Sequence, residues 1–274
     1  MTERPKSLPL TSLSQGQFNL LSVCPRKFQH TYLDQLGALA TPEQQARLVW
    51  GGRFHLLMQQ RELGLPIDLL TAEDWQFKES LTGLVAAAPT VFDPANQDDF
   101  TFRQSEHRCT LEFRGYLLTV IYDLLILSPE EGRIFDWKTY PQPRDRRPLA
   151  EDWQSRLYLY VLTETTDLKP EQVSMTYWFV RHRNPQTGEL APQPLRFDHN
   201  LTLHDQIRQD LTMLTDRLTA WRLDHAPFPQ VEISKGLCPT CPFAIRCQRG
   251  APHDIPAGNQ SALPDLADIQ EIVL

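Results

Sequence analysis

The chain has 274 residues, 41% of them hydrophobic, and a formal net charge of -7. That length buries a substantial core, as one large domain with decorations or as two small ones. The acidic balance argues against a general nucleic-acid coat but leaves room for a local basic groove.

No apolar run approaches the ~18 residues of a membrane helix; the nearest, "YLLTVIYDLLIL", is short and broken by Asp123. The start, "MTERPKSLPLTSLSQ", lacks the apolar segment of a signal peptide. An odd set of 5 cysteines, bunched near one end, argues for a reduced compartment. The expectation is a globular cytoplasmic protein without a membrane partner.

In "LTSLSQGQF", Ser14 followed by Gln17 has capping-box spacing. A helix is predicted from there through "FNLLSVCPRKFQHTYLDQL", bent near Cys24 and Pro25. Pro42 and Glu43 open a second helix, "PEQQARLVWGGRFHLLMQQREL", and a third covers roughly 72–88. The period then changes. "HRCTLEFRGYLLTVIYDLLIL" and "RIFDWKTY" are β-branched and aromatic, and the turn "SPEEG" joins them as strands. "PQPRDRRP" reads as a loop and "AEDWQSRLYLYVLTET" as a helix. "VSMTYWFVRH" and "LAPQPLRFD" flank a hairpin, and 202–224 is a last long helix. The fold class is α/β, a mixed sheet flanked by helices. The expected organisation is one domain over 1–250 and a tail over 251–274.

In a strand, alternate residues share a face, so Asp136 and Lys138 point the same way. A four-residue "PEEG" loop would pair Ser128 with Arg133, setting Asp123 opposite Lys138 and diagonal to Asp136. Burying such charges is expensive unless they are paired or bind a metal. A salt-bridged triad on a solvated sheet face is the plainer alternative, weakened by the flanking "LLIL" and "IF". On the helix "DWQSRLYLY", Gln154 and Tyr158 share a face at i, i+4. His55 follows Gly51 by four residues, where a small residue lets the helix pack closely; alone it reads as a packing histidine.

Taken in order, Gly51-x-x-x-His55, Asp123, Asp136-x-Lys138 and Gln154-x-x-x-Tyr158 resemble the PD-(D/E)XK nuclease superfamily, in its RecB-like branch, from about residue 14 to 247. One departure is "TVIYD", where the family usually has a glycine shortly before the first aspartate. The resemblance implies metal-dependent phosphodiester hydrolysis. Asp123, Asp136, His55 and the Trp137 carbonyl would hold Mg2+ or Mn2+, with Glu106 on a neighbouring strand as a further candidate. Lys138 would orient or help deprotonate a water, and Gln154 and Tyr158 would position the site and the DNA strand. The Trp137 side chain, on the opposite face, reads as core.

The run "CPTCPFAIRC" gives C-x2-C-x5-C at Cys238, Cys241 and Cys247. Spacing alone leaves zinc and an iron–sulfur cluster both open. With "SVCPRKFQHTYL" upstream, the set is similar to the iron–sulfur version of these nucleases, the AddB-type and CRISPR-associated four-cysteine exonucleases. That resemblance implies a [4Fe-4S] cluster with Cys24 as its fourth ligand, tying the two ends of the chain together. Cys109, inside a strand, reads as a small buried hydrophobe.

Arg144, Arg146 and Arg147 after the catalytic strand, and Arg181 and Arg183 in the hairpin, could supply a phosphate track. The expected function is a deoxyribonuclease, an exonuclease on single-stranded DNA in repair, recombination or CRISPR-type processing. A helicase or CRISPR integration machinery is a candidate partner, and the chain itself has no G-x-x-x-x-G-K-[ST] loop. The rival readings are a silent PD-(D/E)XK scaffold that binds DNA and a zinc-stapled interaction module.

Overall fold

Twelve-residue strands and amphipathic helices build three layers around one sheet. The computed structural model describes residues 11–37, 40–72, 74–93, 100–140 and 145–249. Arg144 and the tail from 251 onward lie outside them. Strand β1 (Thr11–Leu13) leads into α1 (Gln15–Val23), where Gln17 Oε1 accepts from the Ser14 amide at 2.8 Å, as the capping spacing predicts. Pro25, with no amide to donate, opens α2 (Pro25–Phe28), followed by a π-helical turn over 29–33. The predicted bend therefore falls at Cys24, the cap shared by α1 and α2.

Helices α3 (Pro42–Glu62), α4 (Asp68–Ala72), α5 (Trp75–Ala87) and α6 (Pro89–Phe92) precede the long hairpin of β2 (Phe102–Phe113) and β3 (Tyr116–Leu127). Its two-residue turn places Arg114 and Gly115 at φ +52° and +79°, the conformation that matches strand twist. Next come β4 (Gly132–Lys138), α7 (Arg146–Glu151), α8 (Trp153–Glu164), β5 (Val173–Phe179), β6 (Gln193–Asp198) and α9 (Leu201–Asp224). The six-stranded sheet runs β1-β3-β4-β5-β6 with β2 along the other edge of β3, and β4 and β5 are parallel. The mixed sheet flanked by helices is the expected class.

Two expectations are corrected. The β3–β4 register pairs Leu127 with Gly132, not Ser128 with Arg133. Ser128 closes the turn itself: its amide donates to the Glu131 carbonyl at 2.9 Å, and its hydroxyl accepts from the Glu131 amide at 3.1 Å. Gly132 is thereby drawn into the strand, where a Cβ would lie 2.8 Å from Leu168 Cδ1. Each pairing moves by two residues, so faces are kept, but Asp123 falls across from Asp136 rather than Lys138. The second correction is the "PQPRDRRP" loop, whose last residues start α7, with Pro148 tolerated in the first helical turn.

One core packs α1, α8 and α9 against the sheet, and the other packs α3, α5 and α6. Leu118, Val120 and Tyr122 of β3 enter the first, whereas Leu124 and Ile126 enter the second and Leu125 returns to the first. A strand of period two keeps even residues on one face, so the pleat slips by one residue at Asp123. Directly across, Glu106 takes φ +50°, and the ladder runs from Ser105–Leu124 to His107–Tyr122 without pairing Glu106 and Asp123.

At the β6–α9 junction, His199 is 3% exposed, its Nε2 3.1 Å from His204 Nδ1. His204 Nε2 in turn lies 3.0 Å from Glu164 Oε1. Burial, then His204, push the His199 pKa down to about 4, against the opposing Glu171. The unfolded chain takes this proton near pH 6.5, so the folded state binds fewer protons between about 6.5 and 4. This histidine therefore subtracts stability progressively as pH falls through that window. Thermal melts from pH 7.5 to 4.5 should show a shallower acid decline for His199→Gln than for the wild type; parallel curves would contradict the assignment.

Candidate active site

The fork where β3 and β4 part company collects most of the predicted residues. The ladder between them ends at Leu124–Phe135, and beyond it the Trp137 amide donates to Asp123 Oδ2 at 2.6 Å. A carboxylate thus occupies the place of a backbone acceptor, 7% exposed. From α3, His55 reaches into the fork. Its Nδ1 lies 3.3 Å from Asp123 Oδ1 and 3.8 Å from Glu106 Oε1, and its Nε2 is 3.1 Å from the Trp137 carbonyl oxygen. Close approach of α3 depends on Gly51, where a Cβ would stand 3.1 Å from Thr139 Oγ1.

Asp136, 1% exposed, is held from the other side. Gln154 Nε2 donates to its Oδ2 at 2.5 Å, Lys138 Nζ lies 2.8 Å from its Oδ1, and Lys138 donates to Gln154 Oε1 at 2.6 Å. The Lys138 contact to Oδ1 is electrostatic, because no well-directed hydrogen bond reaches that oxygen. The ammonium also lies 4.8 Å above the Tyr177 ring.

Gln154 is fixed by the start of α8. Asp152 caps the helix by accepting from the Gln154 amide at 2.7 Å, which delays its start to Trp153. Asn19 of α1 donates to Asp152 Oδ1 at 3.1 Å and accepts from the Trp153 amide at 3.0 Å.

Ligand atoms of His55, Glu106 and Asp123 all lie within 4.8 Å of one another. Burial, the largest influence, pushes the Asp123 carboxyl up to about 7; Asp136 and Glu106 add to this and His55 opposes it. A buried carboxylate so displaced from its ordinary range, beside the second buried carboxylate of Asp136, is what a cation would relieve. The donor set of carboxylates, one imidazole and a main-chain carbonyl suits a hard divalent ion such as Mg2+ or Mn2+. The residues fit such a metal.

Tyr158 is not placed as expected. Its ring is 1% exposed and meets Tyr122 edge-on at 5.3 Å, and its carbonyl accepts from the Tyr122 hydroxyl at 3.2 Å. It braces α8 on β3, and a direct DNA contact does not fit that burial. Helical spacing gave the shared face with Gln154 but not its depth. The Trp137 side chain is core, as expected. Among the basic residues, Arg146 donates to the Arg196 carbonyl and lies 4.8 Å over Phe197, while exposed Arg147 pairs with Glu151 at 3.0 Å. Arg183 pairs with Glu79, and Arg181 lies 4.5 Å over Trp50. The Val180 amide donates to the Lys138 carbonyl at 3.0 Å, so Arg181 directly follows the residue that pairs with the end of β4.

Past the end of α1, the segment over 24–30 meets the segment over 228–247. The Arg26 amide donates to the Pro229 carbonyl at 3.0 Å, and His30 Nε2 lies 3.8 Å from Cys247 Sγ. Burial is the main cause that raises the Cys241 and Cys247 thiols. Cys24 and Cys238 push both the same way, whereas Lys27 opposes at Cys241 and Arg26 at Cys247. These four cysteines share one neighbourhood, although no three of the sulfurs come as close together as the His55 group. Half-buried Cys109 is elsewhere, its Sγ 3.3 Å from Thr165 Oγ1.

Removing the Asn19 side chain should loosen the α8 cap. Asn19→Ala should cost about 1–2 kcal/mol in denaturant unfolding, the range for stranding a partly buried capping partner. An unchanged midpoint would show that the bridge to Asp152 is idle.

A crystal structure of a proposed exonuclease from Eubacterium rectale is similar over 92% of this chain and 93% of that one, with TM-score 0.53 and 12% identity. At that identity the likeness shows the fold alone. A crystal structure of SSO0001, at TM-score 0.38 and 12% identity over 90% of this chain and 88% of that one, is too loose a match to add to it. No protein of curated function matches the sequence. The family model of the PD-(D/E)XK nuclease superfamily matches residues 12–248, which takes in every element that builds the fork, and the chain belongs to that superfamily.

Proposed function

We propose that the protein is a divalent-metal-dependent deoxyribonuclease that hydrolyses phosphodiester bonds, an exonuclease on single-stranded DNA. The observation that carries the reading is the convergence of His55, Glu106 and Asp123 on one side of the fork, with Asp136, Lys138 and Gln154 on the other. His55, Asp123, Asp136 and the Trp137 carbonyl would hold Mg2+ or Mn2+, with Glu106 as an added oxygen. When bound, the cation supplies a water of lowered pKa and offsets charge at the phosphate.

The protein's own share is positioning and electrostatics. Lys138, steadied by Asp136 and Gln154, presents an ammonium to the attacking water and to negative charge that builds up in the transition state. Gln154 holds the Asp136 carboxylate in orientation. Tyr158 supports that helix from below. Arg181, Arg146 and Arg147 are the candidates for the phosphate track among the described residues.

Cys24, Cys238, Cys241 and Cys247 are proposed to hold a [4Fe-4S] cluster within a single nuclease domain over 1–250. One ligand, a long gap and then C-x2-C-x5-C, rather than the two close pairs common at zinc sites, supports this over zinc. A helicase or CRISPR integration machinery would deliver the strand.

Asp136→Ala should abolish Mg2+- or Mn2+-dependent cleavage of end-labelled single strands while leaving the thermal melt in place. Lys138→Ala should stop cleavage yet keep metal binding, because the lysine is not a ligand. Undiminished cleavage by Asp136→Ala would overturn the mechanism, and a wild type that cuts nothing under any condition would favour a silent scaffold.

Anaerobically purified protein should be brown. Replacing any of the four cysteines by Ala should bleach and destabilise it, whereas Cys109→Ala should not. Iron retained by Cys24→Ala and lost by Cys109→Ala would reverse the assignment of the fourth ligand.

A further inference from the structure

A cleft opens beside Glu106, between the C-terminal half of α3 and the first residues of β2, with a cavity volume of about 550 Å³. That is the size of small-ligand sites. Gln59, one helical turn beyond His55, lines one wall, Gln104 and Ser105 line the other, and Phe92 stands at the end. Its charges are separated within. Arg103 makes a forked pair with Glu62 at 2.7 and 2.9 Å, and Arg61 shares the same carboxylate at 3.2 Å. Two guanidinium groups on one carboxylate make this end of the cleft positive, while the second carboxylate that lines it, Glu106, faces His55 at the fork.

Arg103 also donates to the Val91 carbonyl and ties α3 to β2, so its first duty is structural. Arg61 is different: it lies 4.6 Å over Phe92, partly exposed to the cleft. Burial, ahead of the opposing Glu62, lowers its pKa, the mark of a cation short of water. A poorly hydrated guanidinium next to a second one is a good partner for a phosphate. The Gln59 amide can donate and accept, and Gln104, whose Oε1 lies 2.9 Å from His107 Nδ1, keeps its amide N–H groups to donate, as the edges of a base or a deoxyribose require.

We propose that this cleft holds one terminal nucleotide of the DNA strand, its phosphate toward Arg61 and its base and sugar between Gln59 and Gln104. The proposal rests on the nuclease reading. The scissile phosphate would stand at the fork by His55, Glu106 and Asp123, and the nucleotide beyond it would enter the cleft through the mouth that Glu106 forms. The depth of the cleft would then set how many nucleotides leave per cut.

The test uses the full chain and three probes: deoxyadenosine 5′-monophosphate, deoxyadenosine 3′-monophosphate and deoxyadenosine, by equilibrium dialysis. One monophosphate should bind at least ~10-fold tighter than the nucleoside, and which one gives the polarity of the strand. Arg61→Gln should remove that preference, and Gln59→Trp should block binding of all three. Both variants should keep the wild-type Mn2+ titration. On end-labelled strands Gln59→Trp should shift products from mononucleotides to longer fragments. Where one variant fails a thermal melt, the other decides. A wild type that binds no monophosphate, or variants that bind it as the wild type does, would overturn the cleft. Monophosphate binding by a protein that cuts nothing would uphold the cleft and sink the nuclease reading; cleavage without such binding would do the reverse.

Discussion

A buried carboxylate that stands in for a backbone acceptor organises this molecule. Asp123 takes the Trp137 amide at the point where β3 and β4 separate. Without a partner, an amide and a carboxylate at that depth would each cost several kcal/mol; together they satisfy half of the problem. The carboxylate's second oxygen faces His55, and the cost of its burial shows in a pKa raised to about 7. The strand pays locally as well: its pleat slips at Asp123, and Glu106 across the hairpin takes a backbone conformation that a non-glycine residue rarely adopts. Residual strain and a buried carboxyl displaced from its ordinary range at one spot are the usual mark of a functional site.

The helix layers serve that spot from both sides. From one face α3 delivers His55, and Gly51 lets it come near. From the other, α8 delivers Gln154, and the start of α8 is pinned by Asn19 of α1, the helix that ends at Cys24. A continuous line of hydrogen bonds therefore runs from Asn19 through Asp152 and Gln154 to Asp136. The contact of Arg26 with Pro229, just past the end of α1, thus sits one short helix away from the residue that orients a carboxylate in the fork.

Much of this is legible in the sequence, and the rest is missing for identifiable reasons. Strand period places Asp136 and Lys138 on one face, and helical spacing places Gln154 beside them, because both depend only on local geometry. The β3–β4 register is off because Ser128 caps its own turn, a choice made by one hydroxyl that "SPEEG" does not announce. The pleat slip is invisible because nothing in "SEHRC" favours a left-handed backbone at Glu106. Tyr158 shares a face with Gln154, yet spacing cannot say that its ring ends against Tyr122 in the core. Arg146 and Arg147 stand out by their place after β4 and Arg183 by its place in the hairpin, but the neighbours that engage them come from elements distant in sequence or hidden in the helix they start.

The claim at the centre is that the fork is built for a divalent cation around Asp123. Titrating Mn2+ by electron paramagnetic resonance into the wild type and Asp123→Asn measures it without any reliance on cleavage. The account predicts one tight site in the wild type, weakened in Asp123→Asn by at least the ~10–100-fold that loss of an outer-shell partner alone would cost. The variant's melting temperature should be equal or higher, because a buried charge has been removed. Equal Mn2+ affinity in the two proteins would contradict the account.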